Sequence, residues 1–282
     1  MVVTRVLTSP GDVRAWSDGV RCGGERVALV ATMGALHVGH DSLVSLAHEH
    51  ADRVVVSIFV NPLQFDRDAD FDAYPRPIDG DVARCERLGV DAVYAPTASA
   101  MYPAGFETTV TPGAISESME GAARPGHFAG VSTVVTKLVA AIRPDVAVFG
   151  EKDFQQLAVI RRMAIDLDLG VEIIAAPTVR EPDGLALSSR NRRLSDEQRA
   201  AAVCVPRALD AAVAAAHAGE RSSGPVRAAA MAVLEGTPLA RPEYVTVFDP
   251  ETCQPLDAVA SGARIAAAVW FGDVRLIDNR AL

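Results

Sequence analysis

The sequence predicts an α/β protein: a parallel sheet with helices on both faces, followed by a smaller α+β domain. Two observations indicate this class. Between residues 27 and 175, short apolar runs alternate with segments of helical periodicity, which is typical of a parallel sheet covered on both faces. After Pro177, long alanine-rich segments give way to alternating strands, a pattern typical of an antiparallel sheet with helices.

The elements of the first part follow from the spacing of apolar residues. A continuous apolar run predicts a buried strand at 27–30, and mostly apolar segments predict further strands at 53–60, 91–95, 145–149 and 171–175. Apolar residues three and four apart predict helices, one after His40 and others over 78–88, 128–142 and 154–167. The polar, acidic segment 66–74 is expected to be a loop, and 107–111 a short extended segment.

A domain boundary is expected near residue 179, which gives an N-terminal domain of residues 1–179 and a C-terminal domain of residues 180–282. In the second domain, an alanine-rich helix is predicted from Ser195 to His217. Pro206 should kink or split it, because proline cannot donate a backbone hydrogen bond. A further helix over 226–234 and strands at 244–248, 264–270 and 274–277 complete the prediction.

Composition excludes several classes of function. The net charge of −9 disfavours a broad nucleic-acid surface, which needs a basic stripe. We recognise no signal peptide, and no apolar run approaches the roughly 20 residues of a membrane span. The four cysteines are scattered without a C-x-x-C pair, which indicates free thiols in a reducing compartment. The expectation is a cytoplasmic protein.

The first candidate site is the turn between the strand at 27–30 and the following helix. A strand, a glycine turn and a helix N-terminus place backbone N–H groups and the positive helix dipole at one point, which suits an anion. Gly34 and Gly39 allow close approach of a ligand. His37 and His40 are three residues apart and would share a face of the helix. Two imidazoles beside a helix N-terminus suit phosphate oxygens better than a metal. The alternative is a chance H-x-G-H string without function.

Three further polar strings are expected where such a sheet binds its ligand, beyond the carboxyl ends of the strands. Residues 61–65 (NPLQF) carry amides that suit a hydroxy acid. Residues 150–156 (GEKDFQQ) offer a mobile lysine cation for phosphates. Residues 188–191 (SSRN) combine hydroxyls with a guanidinium, as in a phosphate clamp. Each also has a purely structural explanation: a strand-ending turn, a solvated helix start and a serine-rich turn that caps a helix.

These strings together resemble the pantoate–β-alanine ligase family, within the larger group of nucleotidyltransferases with an H-x-G-H signature. The matching motifs span nearly the whole chain: TMGALHVGH at 32–40, FVNPLQF at 59–65, DAYPR at 72–76, EGAARPGHFAGVSTVVTKL at 120–138, RPDVAVFGEKDFQQL at 143–157 and DGLALSSRN at 183–191. The resemblance implies a Rossmann-like N-terminal domain that binds ATP and pantoate, a smaller C-terminal lid and a homodimer.

The resemblance also implies a role for individual residues. The implied ATP contacts are Met33, His37, Gly39, His40, Gly150, Lys152, Asp153, Leu187, Ser188, Ser189 and Arg190. Among them, His37, His40, Lys152 and Arg190 are implied to be catalytic, with the two histidines stabilising the adenylation transition state. The implied substrate contacts are Gln64 and Gln156 with Met33 for pantoate, and Asn61 and Tyr74 near β-alanine. Asp81 is implied to lie near the magnesium-bound phosphates.

The chain departs from the family pattern at four positions. Ala31 stands where proline usually precedes Thr-Met-Gly, and Val38 replaces a glutamate between the histidine and the glycine. Gly80 replaces an acidic residue before Asp81, and Leu187 replaces a methionine before Ser-Ser-Arg-Asn. None of these changes removes a charged catalytic group, so we expect the activity to be kept.

The expected activity is the ATP-dependent joining of pantoate and β-alanine through a pantoyl adenylate, with magnesium bound to the phosphates and AMP and pyrophosphate released. The attacking carboxylate is already ionised at neutral pH, which explains a site rich in His, Lys, Arg and Ser that lacks a nucleophilic triad. Two alternatives stay open at this point: another nucleotidyltransferase with an H-x-G-H motif, and a nucleotide-binding module without turnover.

Overall fold

The computed structural model describes residues 4–65 and 71–282, which form two compact units. The first unit consists of the described residues of Met1–Gly113 with Arg124–Glu151 and Val159–Ala176. The second unit consists of Ala114–Ala123, Lys152–Ala158 and Pro177–Leu282. Two short segments from the first two thirds of the chain therefore group with the C-terminal part. A single boundary near residue 179, as predicted from the sequence, does not account for these two segments.

The first unit is built on a six-stranded parallel sheet with the order β1-β4-β3-β2-β5-β6. The strands are β1 (Arg5–Leu7), β2 (Val27–Thr32), β3 (Arg53–Ile58), β4 (Ala92–Tyr94), β5 (Val146–Gly150) and β6 (Glu172–Ala176). The apolar run Val27–Val30 is fully buried, because both faces of the sheet are covered. The parallel α/β class predicted from the sequence is confirmed.

The strand order reverses direction at β2. From there, β3 and β4 follow on one side, whereas β5 and β6 lie on the other. In open parallel sheets this reversal opens a crevice at the carboxyl ends of the strands, where ligands bind. The carboxyl end of β2 leads into the turn that contains His37, and β5 ends at Gly150. The fold of the first unit thus places the H-x-G-H string, and Gly150 at the start of the 150–156 string, at this crevice.

Helices cover both faces of this sheet. They are α1 (Pro10–Cys22), α2 (Val38–His50), α3 (Ile78–Arg87), α4 (Ala98–Met101), α6 (His127–Ile142) and α7 (Phe154–Asp166). The short helix α5 (Met119–Ala123) belongs to the second unit. The predicted helices after His40 and over 78–88, 128–142 and 154–167 are confirmed. Most of α6 is buried, as expected from its apolar sequence.

Three parts of the first unit differ from the sequence prediction or lie beyond it. Strand β1 and helix α1 are additional to the elements predicted from the sequence. Residues 107–111 were expected to be extended, but they form no strand, and the Val110 N–H donates to the Thr133 hydroxyl at 3.0 Å. Part of the acidic loop predicted at 66–74, namely 66–70, lies outside the described residues.

The second unit contains a three-stranded antiparallel sheet in the order β7-β8-β9. Its strands and helices are α8 (Asp196–Ala202), α9 (Cys204–His217), α10 (Ser223–Glu235), β7 (Ala240–Phe248), β8 (Arg264–Phe271) and β9 (Val274–Ala281). The predicted long helix is divided at Val203 into α8 and α9. Pro206 lies in the first turn of α9, where its missing N–H costs no helical hydrogen bond. The predicted α+β character is confirmed.

The span Asp196–His217 is long and apolar enough, by length and composition alone, to cross a membrane, and half of its most apolar window is buried inside the structure. Its buried residues, including Leu209 and Ala212, belong to the core that the helices of the second unit form with β7–β9. This is the pattern of a core helix, whose apolar stripe packs on a sheet.

Candidate active site

The turn after β2 is held by the buried carboxylate of Asp81. Its two oxygens accept the backbone N–H groups of Ala35 and Leu36, both at 2.8 Å. Gly34 has a φ of +82°, and a Cβ there would lie 2.9 Å from Asp81 Oδ2. Only glycine therefore fits this position. The structure gives Asp81 a clear role in fixing the turn, while its implied role near the metal stays a prediction.

The two histidines of the H-x-G-H turn cap the N-terminus of α2. His37 is the N-cap residue, and its Nδ1 accepts the Gly39 N–H at 3.1 Å. His40 Nδ1 accepts the His37 N–H at 3.2 Å, and the ring centroids are 4.2 Å apart. An imidazole nitrogen that accepts a hydrogen bond carries no proton, so in the neutral rings the proton is on Nε2. Both rings are thus set to donate through Nε2–H at a helix N-terminus.

An acidic side chain in the first turn of α2 is neutralised within the same unit. Asp41 follows His40 directly, and a bare carboxylate there would repel a bound anion. Arg84 donates two hydrogen bonds to it, from Nε and Nη2, both at 2.6 Å. This hydrogen bonding to Asp41 raises the pKa of Arg84, against the opposing effect of burial. The pair therefore preserves the positive potential of the helix N-terminus.

The amides of the Asn61–Gln64 turn form a second polar group in the first unit. Asn61 is 1% exposed, and its Nδ2 donates to Gln64 Oε1 at 3.0 Å and to the Gly130 carbonyl at 3.1 Å. Gln64 Nε2 donates to Met33 Sδ at 3.1 Å. The structure thus brings together three residues for which the resemblance implies substrate contacts. Tyr74, another of the five implied substrate contacts, packs edge-on against Phe65 with 5.8 Å between the centroids.

Residues at and just before the start of α6 contact the Asn61–Gln64 turn. The main-chain carbonyl of Gln64 lies 2.9 Å from His127 Nδ1 and accepts from Arg124 Nη2 at 3.1 Å. A Cβ on Gly130 would lie 2.1 Å from the Leu63 carbonyl oxygen, so the helix reaches the turn only because this residue is glycine. Sequence reasoning assigned no role to these three residues. They fall within the family motif at 120–138, and this resemblance is the sequence feature that could have indicated a role for them.

In the second unit, a pocket gathers three of the implied ATP contacts. It is lined by Lys152, Ser188 and Arg190, together with Asn191 and Asp278. Lys152 Nζ lies 3.7 Å from Asp153 Oδ1, and its side chain is 18% exposed. A partly buried ammonium beside a guanidinium and a hydroxyl suits a polyanionic ligand.

The remaining predicted residues of this unit flank that pocket along the chain. The Ser188 hydroxyl accepts the Arg190 N–H at 3.2 Å and so caps the 3₁₀ turn Ser189–Arg193. The structural explanation considered for this string, a serine turn, is therefore also correct. Leu187 is anchored through its N–H to the Val179 carbonyl at 2.9 Å. Gln156 is half-buried in the first turns of α7.

A buried ion pair borders the pocket and was not anticipated from the sequence. Asp278 is 2% exposed and accepts two hydrogen bonds from Arg180, at 2.8 and 2.9 Å. Burial raises the pKa of Asp278, and the neighbouring guanidinium opposes that rise. Asn279 Nδ2 donates to the main-chain carbonyl of Lys152 at 3.1 Å. Strand β9 thus fixes the backbone of the lysine.

Comparison with known proteins identifies the family. The model of the Pantoate-beta-alanine ligase family matches residues 5–281. The chain belongs to this family. It is 50% identical over 280 residues to the pantothenate synthetase of Myxococcus xanthus, covering 98% of this chain and 96% of that protein. It is 53% identical over 267 residues to the pantothenate synthetase of Thermobifida fusca, covering 90% of this chain and 88% of that protein.

Solved structures agree with this assignment. The pantothenate synthetase from Thermus thermophilus has a TM-score of 0.92 at 44% identity, covering 98% of this chain and 99% of that one. A pantoate–β-alanine ligase from Francisella tularensis, complexed with beta-gamma ATP and β-alanine, has a TM-score of 0.80 at 31% identity over 99% and 98% of the chains. The family predicted from the motifs is confirmed.

Among the residues that the structure describes, no group of three or more His, Cys, Asp or Glu side chains has the arrangement of a metal site. A divalent cation in a site of this kind is held mainly by phosphate oxygens and water, with one or two carboxylates. The described residues are compatible with that mode of binding, for which Asp81 is the candidate carboxylate. They do not form a cage built from protein ligands alone.

Proposed function

We propose that this protein joins pantoate and β-alanine to pantothenate, using ATP and releasing AMP and pyrophosphate. The observation that carries the proposal is the histidine pair at the start of α2, whose rings are oriented by backbone N–H groups. It is supported by membership of the ligase family and by the relative that was solved with an ATP compound and β-alanine.

In the first step, a carboxylate oxygen of pantoate attacks the α-phosphorus of ATP. The new P–O bond forms as the bond to the β-phosphate oxygen breaks, giving pantoyl adenylate and pyrophosphate. The carboxylate has a reference pKa of about 4, so no base is required. Catalysis then depends on alignment and on stabilising negative charge on the phosphate oxygens. We assign that stabilisation to His37, His40, Lys152 and Arg190.

The other implied contacts position the substrates. We propose that Ser188 and Ser189 bind the triphosphate and that Gly150 and Asp153 contact the ribose, while Gly39 and Leu187 line the nucleotide site. Gln64 and Gln156 would hold pantoate beside Met33. Mg²⁺ neutralises phosphate charge when it is bound. Asp81 would reach the ion or one of its waters through the lone pairs that its two backbone hydrogen bonds leave available.

In the second step, the amine of β-alanine attacks the acyl carbon of the adenylate. The C–N bond forms, the bond to the phosphate oxygen of AMP breaks, and the amine loses a proton to solvent. Only the neutral amine has the lone pair that attacks. By analogy with lysine its pKa is about 10.4, so the ammonium form must first release a proton to solvent. Asn61 and Tyr74 are proposed to lie near this substrate.

The decisive assay is AMP formation that requires both pantoate and β-alanine, with pantoate-dependent exchange of labelled pyrophosphate into ATP as the partial reaction. His40→Ala and Lys152→Ala should each lower the exchange rate by about 10²–10³-fold, the usual cost of removing one transition-state donor. Arg162→Ala removes an exposed cation that is paired with Asp166 and serves as the control.

Several outcomes would overturn the proposal. Normal exchange in both variants would remove the roles of His40 and Lys152. Exchange that does not depend on pantoate would indicate another nucleotidyltransferase activity. ATP binding without AMP formation would indicate a nucleotide-binding module. Because His40→Ala also removes a capping hydrogen bond, we expect its unfolding free energy to fall by about 1 kcal/mol, which is too little to abolish folding.

We further propose a cytoplasmic homodimer in which residues 180–282 act as a lid over the nucleotide, with no nucleic-acid or membrane partner. The four free cysteines support a reducing compartment. Sedimentation equilibrium tests the dimer, and a monomer at assay concentrations would contradict it. Protection of the 180–282 region from proteolysis by ATP tests the lid.

A further inference from the structure

The amide of Asn61 has one possible orientation, because backbone groups contact both of its ends. Its Oδ1 accepts the Leu63 N–H at 3.3 Å, and its Nδ2 donates to the Gly130 carbonyl at 3.1 Å. Reversing the amide would set an NH₂ group against an N–H and an oxygen against a carbonyl oxygen. Such a mismatch is costly in a side chain that is 1% exposed.

The orientation of Asn61 in turn fixes that of Gln64. The atom that faces Asn61 Nδ2 must be an acceptor, and Gln64 Oε1 occupies that place at 3.0 Å. Gln64 Nε2 is therefore directed the other way, toward Met33 Sδ at 3.1 Å. Thioether sulfur is a weak acceptor, so a substrate oxygen would be a better partner for this NH₂ group. Gln64 thus presents a donor, suited to a carboxylate or hydroxyl oxygen.

Tyr102 completes the arrangement from the side opposite Gln64. Its hydroxyl donates to Asn61 Oδ1 at 2.7 Å, the shortest contact that Asn61 makes. The ring packs against Phe106 and Phe59, with centroid distances of 4.9 and 6.0 Å. Burial raises the pKa of Tyr102 well above its usual value, so the hydroxyl keeps its proton throughout the range of a kinetic assay.

We propose that Tyr102 is a positioning residue for substrate binding, which orients the Gln64 amide through Asn61 so that its NH₂ group faces pantoate. This inference rests on the proposed function, in which Gln64 contacts pantoate. In this role Tyr102 contacts Asn61 and acts on pantoate only through Gln64. It supplies the second hydrogen bond to Asn61 Oδ1 and prevents the buried amide from rotating about its side-chain bonds.

The test is a double-mutant cycle between Tyr102→Phe and Gln64→Ala, with KM measured separately for pantoate and ATP. Tyr102→Phe removes only the hydroxyl and should raise the pantoate KM by about 5- to 10-fold, the effect of one hydrogen bond, without changing the ATP KM. Gln64→Ala should raise the pantoate KM by more. In the Gln64→Ala background, Tyr102→Phe should have no further effect, because the group that it positions is absent.

The matched control is Tyr94→Phe. Tyr94 is fully buried in the first unit, whereas Tyr102 is half-buried, and the Tyr94 hydroxyl makes a long contact of 3.8 Å with Met101 Sδ. This variant should leave both KM values unchanged. Thermal unfolding of every variant separates a loss of stability from a loss of positioning, because a general defect caused by Tyr102→Phe would persist when Gln64 is alanine.

The outcomes distinguish a failure of the positioning role of Tyr102 from a failure of the assignment of Gln64 to pantoate. Equal increases in the pantoate and ATP KM, or effects of the two substitutions that simply multiply, would overturn the positioning role. So would an unchanged pantoate KM in Tyr102→Phe when Gln64→Ala has raised it. An unchanged pantoate KM in Gln64→Ala would instead refute the assignment of Gln64 to pantoate, and the role of Tyr102 with it.

Discussion

Gly130→Ala is the substitution whose effect the structure predicts most directly. A Cβ at this position in α6 would lie 2.1 Å from the Leu63 oxygen, 2.4 Å from the Leu63 carbonyl carbon and 2.7 Å from the Gln64 nitrogen. All three atoms belong to the backbone, so no side chain can turn away. Ordinary contacts begin at 3.4 Å, and the helix and the turn must therefore separate by about 1.3 Å, the difference between 3.4 and 2.1 Å.

This separation has an energetic cost and a functional one. Inserting one methyl group into a packed contact typically costs about 1–3 kcal/mol, which corresponds to a fall in Tm of about 2–5 °C for a chain of this size. The shift also stretches the hydrogen bond from Asn61 Nδ2 to the Gly130 carbonyl. A displacement of about 1 Å at a substrate-positioning group can lower the rate by up to ~10²-fold.

The assay combines thermal unfolding with KM and kcat for each substrate. Gly19→Ala is the matched control, because Gly19 lies within α1, is exposed, and a Cβ added to it would have no atom within 4 Å. Alanine is favoured over glycine in a helix by about 0.5–1 kcal/mol, so the control should raise Tm slightly. If Gly130→Ala also raised Tm and left the pantoate KM unchanged, the close approach of α6 to the turn would be refuted.

Two further predictions concern titratable groups. Cys22 is exposed, whereas burial raises the pKa of Cys85 and of Cys253 to about 12. We therefore expect one thiol to react rapidly with Ellman's reagent in the native protein and four thiols to react after unfolding. Two rapidly reacting thiols in the native protein would contradict this prediction. Hydrogen bonds from Thr252 and Glu251 lower the pKa of Asp249, so its stabilising effect is present above its unfolded pKa of about 3.9 and is lost as the pH falls through the lower, folded pKa. Asp249→Asn should reduce stability by about 0.5 kcal/mol at pH 7 in this partly exposed turn, and urea unfolding at pH 3 should show a smaller difference.

The core of the sheet could be predicted from the sequence because its strands have a simple signature. The runs that became β2, β3 and β5 are mostly apolar, since neighbouring strands and helices cover them on both faces. Periodicity likewise identified α6, which is buried over most of its length. Where burial is extensive, the pattern of apolar residues is strong enough to define both the element and its type.

The elements that were missed are those with little buried surface. Helix α1 buries only Val13 and Ser17, and its few apolar residues are separated by polar ones. Its signal lies instead in the cap, where the Ser9 hydroxyl accepts the Asp12 N–H and Pro10 begins the helix. Strand β1 has three residues, of which two are exposed. The segment 107–111 has β-branched residues, but composition cannot show whether a strand edge is available to pair with it.

For the candidate site, the sequence predicted residue types but not their partners. It indicated that His37, His40 and Gln64 carry suitable groups, since H-x-G-H and NPLQF follow buried strands. It could not show that Asp81 closes the turn from 45 residues away, or that Tyr102 contacts Asn61 across 41 residues. These contacts depend on the order of strands in the sheet. That order is a property of the fold and cannot be read from local spacing.

The described contacts explain how a site without a base can be selective. The proposed first step needs no proton transfer, so its rate depends on how well the reacting groups are held. The histidine rings are oriented by backbone N–H groups, and the Asn61 amide that orients Gln64 is held by a backbone N–H together with the Tyr102 hydroxyl. These hydrogen bonds are present without substrate, so the donors are oriented before it arrives. Substitutions that displace the backbone, such as Gly130→Ala, should therefore affect substrate binding as strongly as removal of a donor.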